Sequence, residues 1–580
     1  MSLLIYLIIC GTILIIAYRW GGGILGRFFK LNDSLPTAAV ERRDGQDFEP
    51  AKRSYLLPQH FSAIAAAGPI VGPILAGIYF GWLPTLLWII LGAIFIGGVH
   101  DFTTLIASVR NRGGSIAQIV KENVNRRSYI LFLVFIWIAL VYVIIAFTDV
   151  TASAFVQVSP TAGEEAPGPA VASSSAFYLL LAFLMGLTLK LTKLPSTMVR
   201  LIFIPLVFVT ILLGPLIPLD LQKLFGFSRP QLVWDLILLF YCFTASIIPL
   251  WLLLQPRGYL GGYFLYIVMV GGVLGIIVGG LSGQLTIAAP AFASAPLLDY
   301  HTTLPPLFPV LFITVACGAC SGFHCIVASG TTSKQLEKES DAKPVAYGAM
   351  LLEAFFACIS LATVMILVKP AGKPDAIYAQ GLGQFISQAT FGLITPKIAV
   401  QFALLCFATF IFDTLDACTR LARYVLMELT GWKGKPGMVL ATVTTLLFPL
   451  IVIFLPPAEL DGKTIPLWRV FWNLFGSSNQ LLAALALLGI TTWVARLGKK
   501  IWITLLPMVF MTTMTLWSLI IIVLNYLQLP ARSTLHPLKQ IEFGVALGLT
   551  LLAFWLLVEA VIALFRLNFS LPFRKQATLA

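Results

Sequence analysis

Three carboxylates lie inside or at the edge of long apolar runs, where a charge is least tolerated, and they are the first candidates for chemistry. Asp101 follows Gly97-Gly98-Val99-His100, about two turns before Arg110, and Glu353 lies about nine residues into the apolar run 344–368. An ionised side chain at the centre of a membrane-spanning helix costs about 2.5–3.5 kcal/mol on insertion scales, so each needs a partner or a task. Aspartate is too short to snorkel to the interface as lysine does. Two readings of Asp101 stay open: an ion-coupling or gating residue, or a salt-bridged residue near the interface. Glu353 has no basic neighbour in sequence, so it either pairs across helices or takes up and releases a coupling proton. Asp413, Asp416, Arg420 and Arg423 are spaced three, four and three apart, hence on one helical face. Asp416 is expected to pair with Arg420, which leaves Asp413 as an ion-coupling candidate.

Oxygen-rich and thiol-rich stretches supply a second group of candidates. Thr314-Val-Ala-Cys317-Gly318-Ala-Cys320-Ser321-Gly322-Phe323-His324 runs on to Ser329-Gly330-Thr331-Thr332. Its small residues let helices approach closely, and its hydroxyls and freed carbonyls can coordinate a cation or a substrate. Ser321, Gly322 and His324 are read as substrate-binding, and Ser329, Thr331 and Thr332 as ion-coupling. Cys317-x-x-Cys320-x-x-x-His324-Cys325 resembles half of a metal site, but zinc takes four ligands and no second cluster follows, so no metal is expected. The eight cysteines lie in or at the ends of apolar segments, which argues against a disulfide framework. Asn473 with Ser477-Ser478-Asn479-Gln480 forms a polar interruption suited to helix packing or to transport.

These residues must be positioned by helices that are themselves interrupted. Gly68-Pro69-Ile70-Val71-Gly72-Pro73 falls within the second apolar segment, near 60–80. Proline removes a backbone donor and glycine relaxes the backbone, so a break is expected there, with Gly68, Pro69, Gly72 and Pro73 beside a substrate. Unpaired backbone groups at membrane depth are tolerated only in protein or against a wet cavity, which makes such breaks candidate binding sites. The seventh segment, near 232–254, carries Pro249, Trp251, Gln255 and Pro256. A second break is expected over Ile247 to Pro256, with Pro249, Trp251 and Gln255 lining it. Five segments on from the second, it would run in the opposite direction, the footprint of an inverted repeat.

Composition fixes the class. Of 580 residues 59% are hydrophobic and 11% charged, with mean hydropathy +0.93, against roughly a quarter charged in a soluble domain. This is an all-α integral membrane protein. The net charge of +13 does not imply nucleic acid, because the basic residues punctuate the gaps between apolar segments. At ~20 residues per crossing, about fifteen spans are expected. An external N-terminus and a cytosolic C-terminus put most of the 38 basic residues on the inner side, as the positive-inside rule requires. No catalytic triad, nucleotide loop or zinc-protease helix occurs, so neither an enzyme nor a nucleotide-driven pump is indicated.

Several runs, in order, resemble the carbon starvation protein A family: Ala65 to Pro73, Gly81-Trp-Leu-Pro84, Asp101-Phe with Ser108-Val-Arg110, Pro249 to Leu260, Ser321-Gly-Phe-His324, Ser329-Gly-Thr-Thr332 and Asp413-Thr-Leu-Asp416. The match runs from about Tyr55 to Leu487. It implies a secondary active transporter of the bacterial cytoplasmic membrane that imports peptides under carbon starvation; a close subgroup imports pyruvate with protons. It also implies a core of two inverted five-helix repeats of the amino acid-polyamine-organocation type, with discontinuous helices. On that view residues 1–59 form a first span and cytosolic loop, 60–428 the core, and 437–580 peripheral C-terminal helices. No cofactor is expected, the energy source being a proton or sodium gradient, and the partners are a small-molecule substrate and the lipid bilayer. His100 departs from the glutamine expected of the family at that position. A membrane nutrient sensor that binds without transporting is the alternative from another class, and it lacks a long cytosolic output domain. The sequence carries no signal of oligomeric state.

Overall fold

The computed structural model describes residues 2–44, 48–65, 67–156, 167–249, 251–293, 305–368, 370, 373–455, 458–460, 463–465, 467–528 and 537–574. Its principal helices are α1 (Leu3–Phe29), α2 (Arg53–Ile64), α3 (Gly68–Phe80), α4 (Trp82–Arg110), α5 (Arg126–Phe155), α6 (Pro167–Leu191), α7 (Thr197–Leu216), α8 (Pro230–Ile247) and α9 (Leu254–Leu281). They continue as α10 (Leu307–Thr314), α11 (Phe323–Gly330), α12 (Glu339–Met365), α13 (Pro374–Ala389), α14 (Pro396–Thr430), α15 (Gly434–Ile453), α16 (Leu467–Arg496), α17 (Trp502–Leu527) and α18 (Pro537–Arg574). A short antiparallel hairpin, Ala458–Leu460 with Lys463–Ile465, precedes α16.

Among the described residues thirteen helices are long and apolar enough to cross a bilayer, and α2 with α3 forms one more as a pair bent by 45°. The fifteenth expected span, near 306–328, is present as α10 and α11, each too short to cross alone. The chain is thus a multi-pass, all-helical membrane protein. Helix α13 was not foreseen, because its Gln380, Gln384 and Gln388 dilute the apolar signal. It fits tightly all the same, with a methyl group on Gly275 of α9 running into the Phe385 backbone.

Burial separates a core from a lipid-facing ring. Helices α12 and α16 are enclosed over 89% and 100% of their most apolar stretches, against 33% for α1 and α17. Large apolar side chains such as Ile15, Leu201 and Leu551 cover the outside of the ring. Helix α16 therefore belongs to the core, not to the peripheral C-terminal group in which the sequence placed it. Its Leu481-Leu-Ala-Ala-Leu-Ala-Leu-Leu488 run is apolar on every face, as a helix packed on all sides must be. The long first loop is pinned to the start of α12, where Glu339 accepts from Asn32 N and Asp33 from Ser340 N, both at 2.8 Å.

Three interruptions organise the core, and two differ from expectation. The break in the second span falls after Ile64, just ahead of Gly68, so Gly68 and Pro69 open α3 instead of lying in the gap. Proline in a first turn lacks only a donor that would have no partner anyway, which is why the helix restarts there. The seventh segment is interrupted after Ile247, within the expected range, but the helix that resumes at Leu254 runs on to Leu281, so the interruption separates α8 from α9, each long and apolar enough to cross alone. Pro256 falls in the first turn of α9, where it is tolerated. The second discontinuity lies instead in the ninth span, between α10 and α11, where Gly318 takes a φ of 85° that side-chain-bearing residues rarely adopt.

Backbone groups freed at these gaps are satisfied by side chains from other helices. Asn479 of α16 accepts from Phe323 N at 2.8 Å and caps the start of α11. The adjacent Gln480 donates to Phe312 O at 3.1 Å and Ala316 O at 3.3 Å at the end of α10. Arg420 of α14 donates to Ala245 O and Ile248 O, and Arg423 to Ser246 O, at the end of α8.

Candidate functional site

The two broken spans meet back to back. Gly68 and Gly72 of α3 lie against the unwound segment of the ninth span, where a methyl on Gly68 would overlap Cys317 and one on Gly72 would approach Thr314 O to 2.6 Å. Pro69 faces Gly318, and Pro73 is buried in the same helix. The sequence-predicted residues of the second span thus build the contact between the gaps.

Beside that contact runs a row of titratable side chains without solvent exposure. His100 Nδ1 lies 2.7 Å from Asp101 Oδ1, and His324 Nδ1 lies 2.7 Å from Asp101 Oδ2. On its other edge His324 Nε2 is 3.2 Å from Glu353 Oε2, while Glu353 Oε1 accepts from Gly318 N at 3.0 Å. Asp101, His324 and Glu353 come from three different helices and all have 0% exposure. Two five- and six-residue π-helical turns, Ala93–Gly97 and Lys343–Gly348, precede Asp101 and Glu353 in their helices. Each extra residue rotates the helix beyond it, a device that recurs at functional sites. Tyr347 of the second turn packs on Gly98 beside the first, and its hydroxyl reaches Ile94 O at 3.4 Å.

The arrangement has a definite electrostatic consequence. With the Nδ1 proton of His324 directed at Asp101, Nε2 and Glu353 Oε2 present lone pairs to each other at 3.2 Å. Two acceptors at that distance repel unless positive charge lies between them, which a second proton on the His324 ring supplies as well as a bound cation would. His60 of α2, buried and within range of the charges of Asp101 and His324, points Nδ1 at Thr332 Oγ1 at 2.8 Å.

Other predicted residues separate into distinct roles. Ser321 is held by Asn479, whose Nδ2 donates to its Oγ at 3.0 Å, and Gly322 lies against the α16 backbone. Ser329 accepts from Ile116 N at 3.1 Å and donates to Cys325 O at 2.6 Å, which commits it to docking the short helix Ile116–Asn123. Pro249 is exposed, and Trp251 lies under the Lys190 ammonium, 5.7 Å from the ring centroid. The Asp413 side chain is outside the described residues, as is that of Asn473. Asp416 does not pair with Arg420: it binds Arg257 Nη2 at 2.7 Å, and Tyr241 donates to its other oxygen at 2.9 Å. Helical spacing allowed the Arg420 pair, but Arg420 turns to the carbonyls at the end of α8.

A narrow cavity of about 70 Å³ lies beyond the row, between α2, α9, α11 and α14. Arg257, Arg420, Gln59, Gln255, Thr331 and Gln335 all line it. Its walls are mainly apolar and carry guanidinium, ammonium and amide donors together with the carboxylate of Glu49, so the donors outnumber the acid and suit an organic carboxylate. Of the predicted residues Gln255 and Thr331 belong here, whereas Arg257, Arg420 and Gln59 were missed. Arg257 was visible as a charged group bordering an apolar helix, but nothing local aimed it at a cavity.

The profile of the carbon starvation protein CstA family matches residues 2–372 and 368–518. A peptide transporter CstA of Helicobacter pylori is 31% identical over 571 residues, covering 87% of this chain and 79% of the relative. One from Bacillus subtilis is 32% identical over 541 residues, 84% of each chain. A pyruvate/proton symporter BtsT of Escherichia coli is 30% identical over 601 residues, 88% of this chain and 80% of the relative. Among solved structures, MhsT in complex with L-phenylalanine aligns over 88% of this chain and 99% of its own at 13% identity, with a TM-score of 0.47. A manganese transporter of Eremococcus coleocola aligns over 88% and 95% at 15% identity, with a TM-score of 0.43.

Proposed function

The chain belongs to the carbon starvation protein CstA family, and we propose that it is a secondary active importer of peptides in the bacterial cytoplasmic membrane, energised by a proton or sodium gradient. The observation that carries this reading is the buried carboxylate–imidazole row Asp101–His324–Glu353 at the contact of two interrupted spans, with a donor-bearing cavity whose lining residue Val327 follows His324 on α11. A carboxylate-bearing nutrient binds in the cavity through Arg257 and Arg420, and the coupling cation sits between His324 and Glu353. Movement of the broken spans α2–α3 and α10–α11 past each other exposes the two sites to either side in turn. The face with Lys30, Arg110, Arg112 and Lys499 is cytosolic, the N-terminus is external and the C-terminus internal, in keeping with the positive-inside rule.

A second reading, a symporter of pyruvate with protons, draws on the similarity to the Escherichia coli protein of that name. Both substrates carry the carboxylate that the guanidinium groups suit. Uptake of labelled dipeptide and labelled pyruvate into proteoliposomes, with proton and sodium gradients imposed separately, tests both. Dipeptide accumulation under one gradient supports the first reading, and accumulation of pyruvate alone replaces it with the second. Binding of either nutrient without accumulation under both gradients refutes transport.

A further inference from the structure

The row at the broken spans includes one atom that neither substrate binding nor monovalent coupling requires, the thiol of Cys317. Cys317 Sγ, a ring nitrogen of His324 and a carboxylate oxygen of Glu353 lie within 4.8 Å of one another, and all three residues are buried. We propose that these three side chains form a site for one thiophilic divalent metal ion, of which zinc is the reference case.

Three independent features support it. The histidine and the carboxylate each have their other polar atom engaged elsewhere: His324 Nδ1 lies 2.7 Å from Asp101 and Glu353 Oε1 accepts from Gly318 N at 3.0 Å, while Asn479 Nδ2 approaches Cys317 Sγ itself at 3.8 Å. Such outer contacts are how metal ligands are oriented, the carboxylate–histidine pairing above all. His324 Nε2 and Glu353 Oε2 have no hydrogen-bond partner among the described residues, although both are fully buried. Spacing is also right: bonds of about 2.0–2.3 Å in a tetrahedron put ligand atoms ~3.5 Å apart, so the 3.2 Å His–Glu separation already fits and the thiol needs to close by about an ångström or less.

The donor set decides the class of ion. One thiolate, one imidazole and one carboxylate favour zinc or cobalt over magnesium, calcium or sodium, which take oxygen ligands. Three protein ligands leave a fourth position open. The same centre holds the coupling cation, so a bound divalent ion competes with it; that consequence rests on the transport reading, whereas binding itself does not.

The test uses the purified full-length protein in detergent, stripped with chelator and titrated with Co²⁺. The expected result is a near-ultraviolet thiolate-to-cobalt charge-transfer band that saturates at one equivalent, is displaced by Zn²⁺, persists in Cys10→Ser and is absent in Cys317→Ser. Asp101→Asn should weaken binding by about 10–100-fold, as loss of an outer-shell partner does. A Zn²⁺-dependent rise in unfolding temperature, present in the wild type and Cys10→Ser and lost in Cys317→Ser, guards against a variant that merely misfolds. No band and no thermal shift in the wild type, or a band undiminished in Cys317→Ser, overturns the proposal. Nutrient uptake in chelated vesicles reads the transport reading separately.

Discussion

Asp416→Asn is expected to cost this protein more stability than an exchange of similar size at its surface. Arg257 and Asp416 are 1% and 0% exposed, joined at 2.7 Å, and bridged by Tyr241, which accepts from Arg257 Nη1 at 2.7 Å and donates to Asp416. The amide keeps the shape but removes the charge, leaving the guanidinium buried without that carboxylate. Breaking a buried pair from one side costs about 3–5 kcal/mol, against about 0–1 kcal/mol for an exposed pair. At ~1.4 kcal/mol per tenfold, the folded-to-unfolded ratio falls at least about a hundredfold. The assay is the unfolding midpoint in mixed micelles titrated with sodium dodecyl sulfate, for Asp416→Asn, Arg257→Met and the double variant Asp416→Leu/Arg257→Met. Each single variant should lose ~3 kcal/mol or more, and the double should recover to within about 1 kcal/mol of wild type, since an apolar replacement of both partners is commonly neutral. Nutrient uptake should stay low in the double variant, because Arg257 also lines the cavity. Losses below about 1 kcal/mol for both single variants, or a double loss equal to their sum, would refute the reasoning.

Three further outcomes follow from the same geometry. Glu353→Gln should depress gradient-driven uptake more than counterflow exchange if the proposed coupling holds, because it neutralises the carboxylate facing His324 and leaves the cavity intact; equal loss of both in vesicles counts against coupling. Gly72→Val should lower stability by about 1–3 kcal/mol and abolish uptake, since the new side chain meets the Thr314 carbonyl, a backbone atom that cannot turn aside; a folded, fully active variant disproves the tight contact of the breaks. Asp33 accepts from the Ser340 hydroxyl and backbone, which holds its carboxyl below the ordinary carboxylate range. A depressed carboxylate stabilises the fold above its unfolded pKa and loses that contribution as pH falls through its folded value. Protease cleavage of the first loop should therefore rise only below about pH 4, and Asp33→Asn should remove that step.

Much of this protein was legible one segment at a time. Hydropathy gave the class and nearly every span, because crossing a bilayer demands ~20 apolar residues whatever their neighbours. Charge in an apolar run marked Asp101 and Glu353, since burial of a carboxylate is expensive enough to need a reason. Proline and glycine marked two interruptions, but their consequences depended on context: Pro69 starts a helix where a break was expected, and Pro249 joins two helices instead of dividing one.

Pairings between distant segments belonged to the tertiary structure alone. Asp416 and Arg420 satisfy the helical spacing rule, yet Asp416 meets Arg257 from another helix and Arg420 caps α8. The approach of Cys317, His324 and Glu353 depends on an unwound turn at Gly318, and the helices bearing Asp101 and Glu353 each carry a π-helical turn; no local propensity specifies either feature. Burial cost is a property of single residues and so is written in the sequence. Which groups relieve that cost depends on how helices hundreds of residues apart are packed, and only the assembled fold decides it.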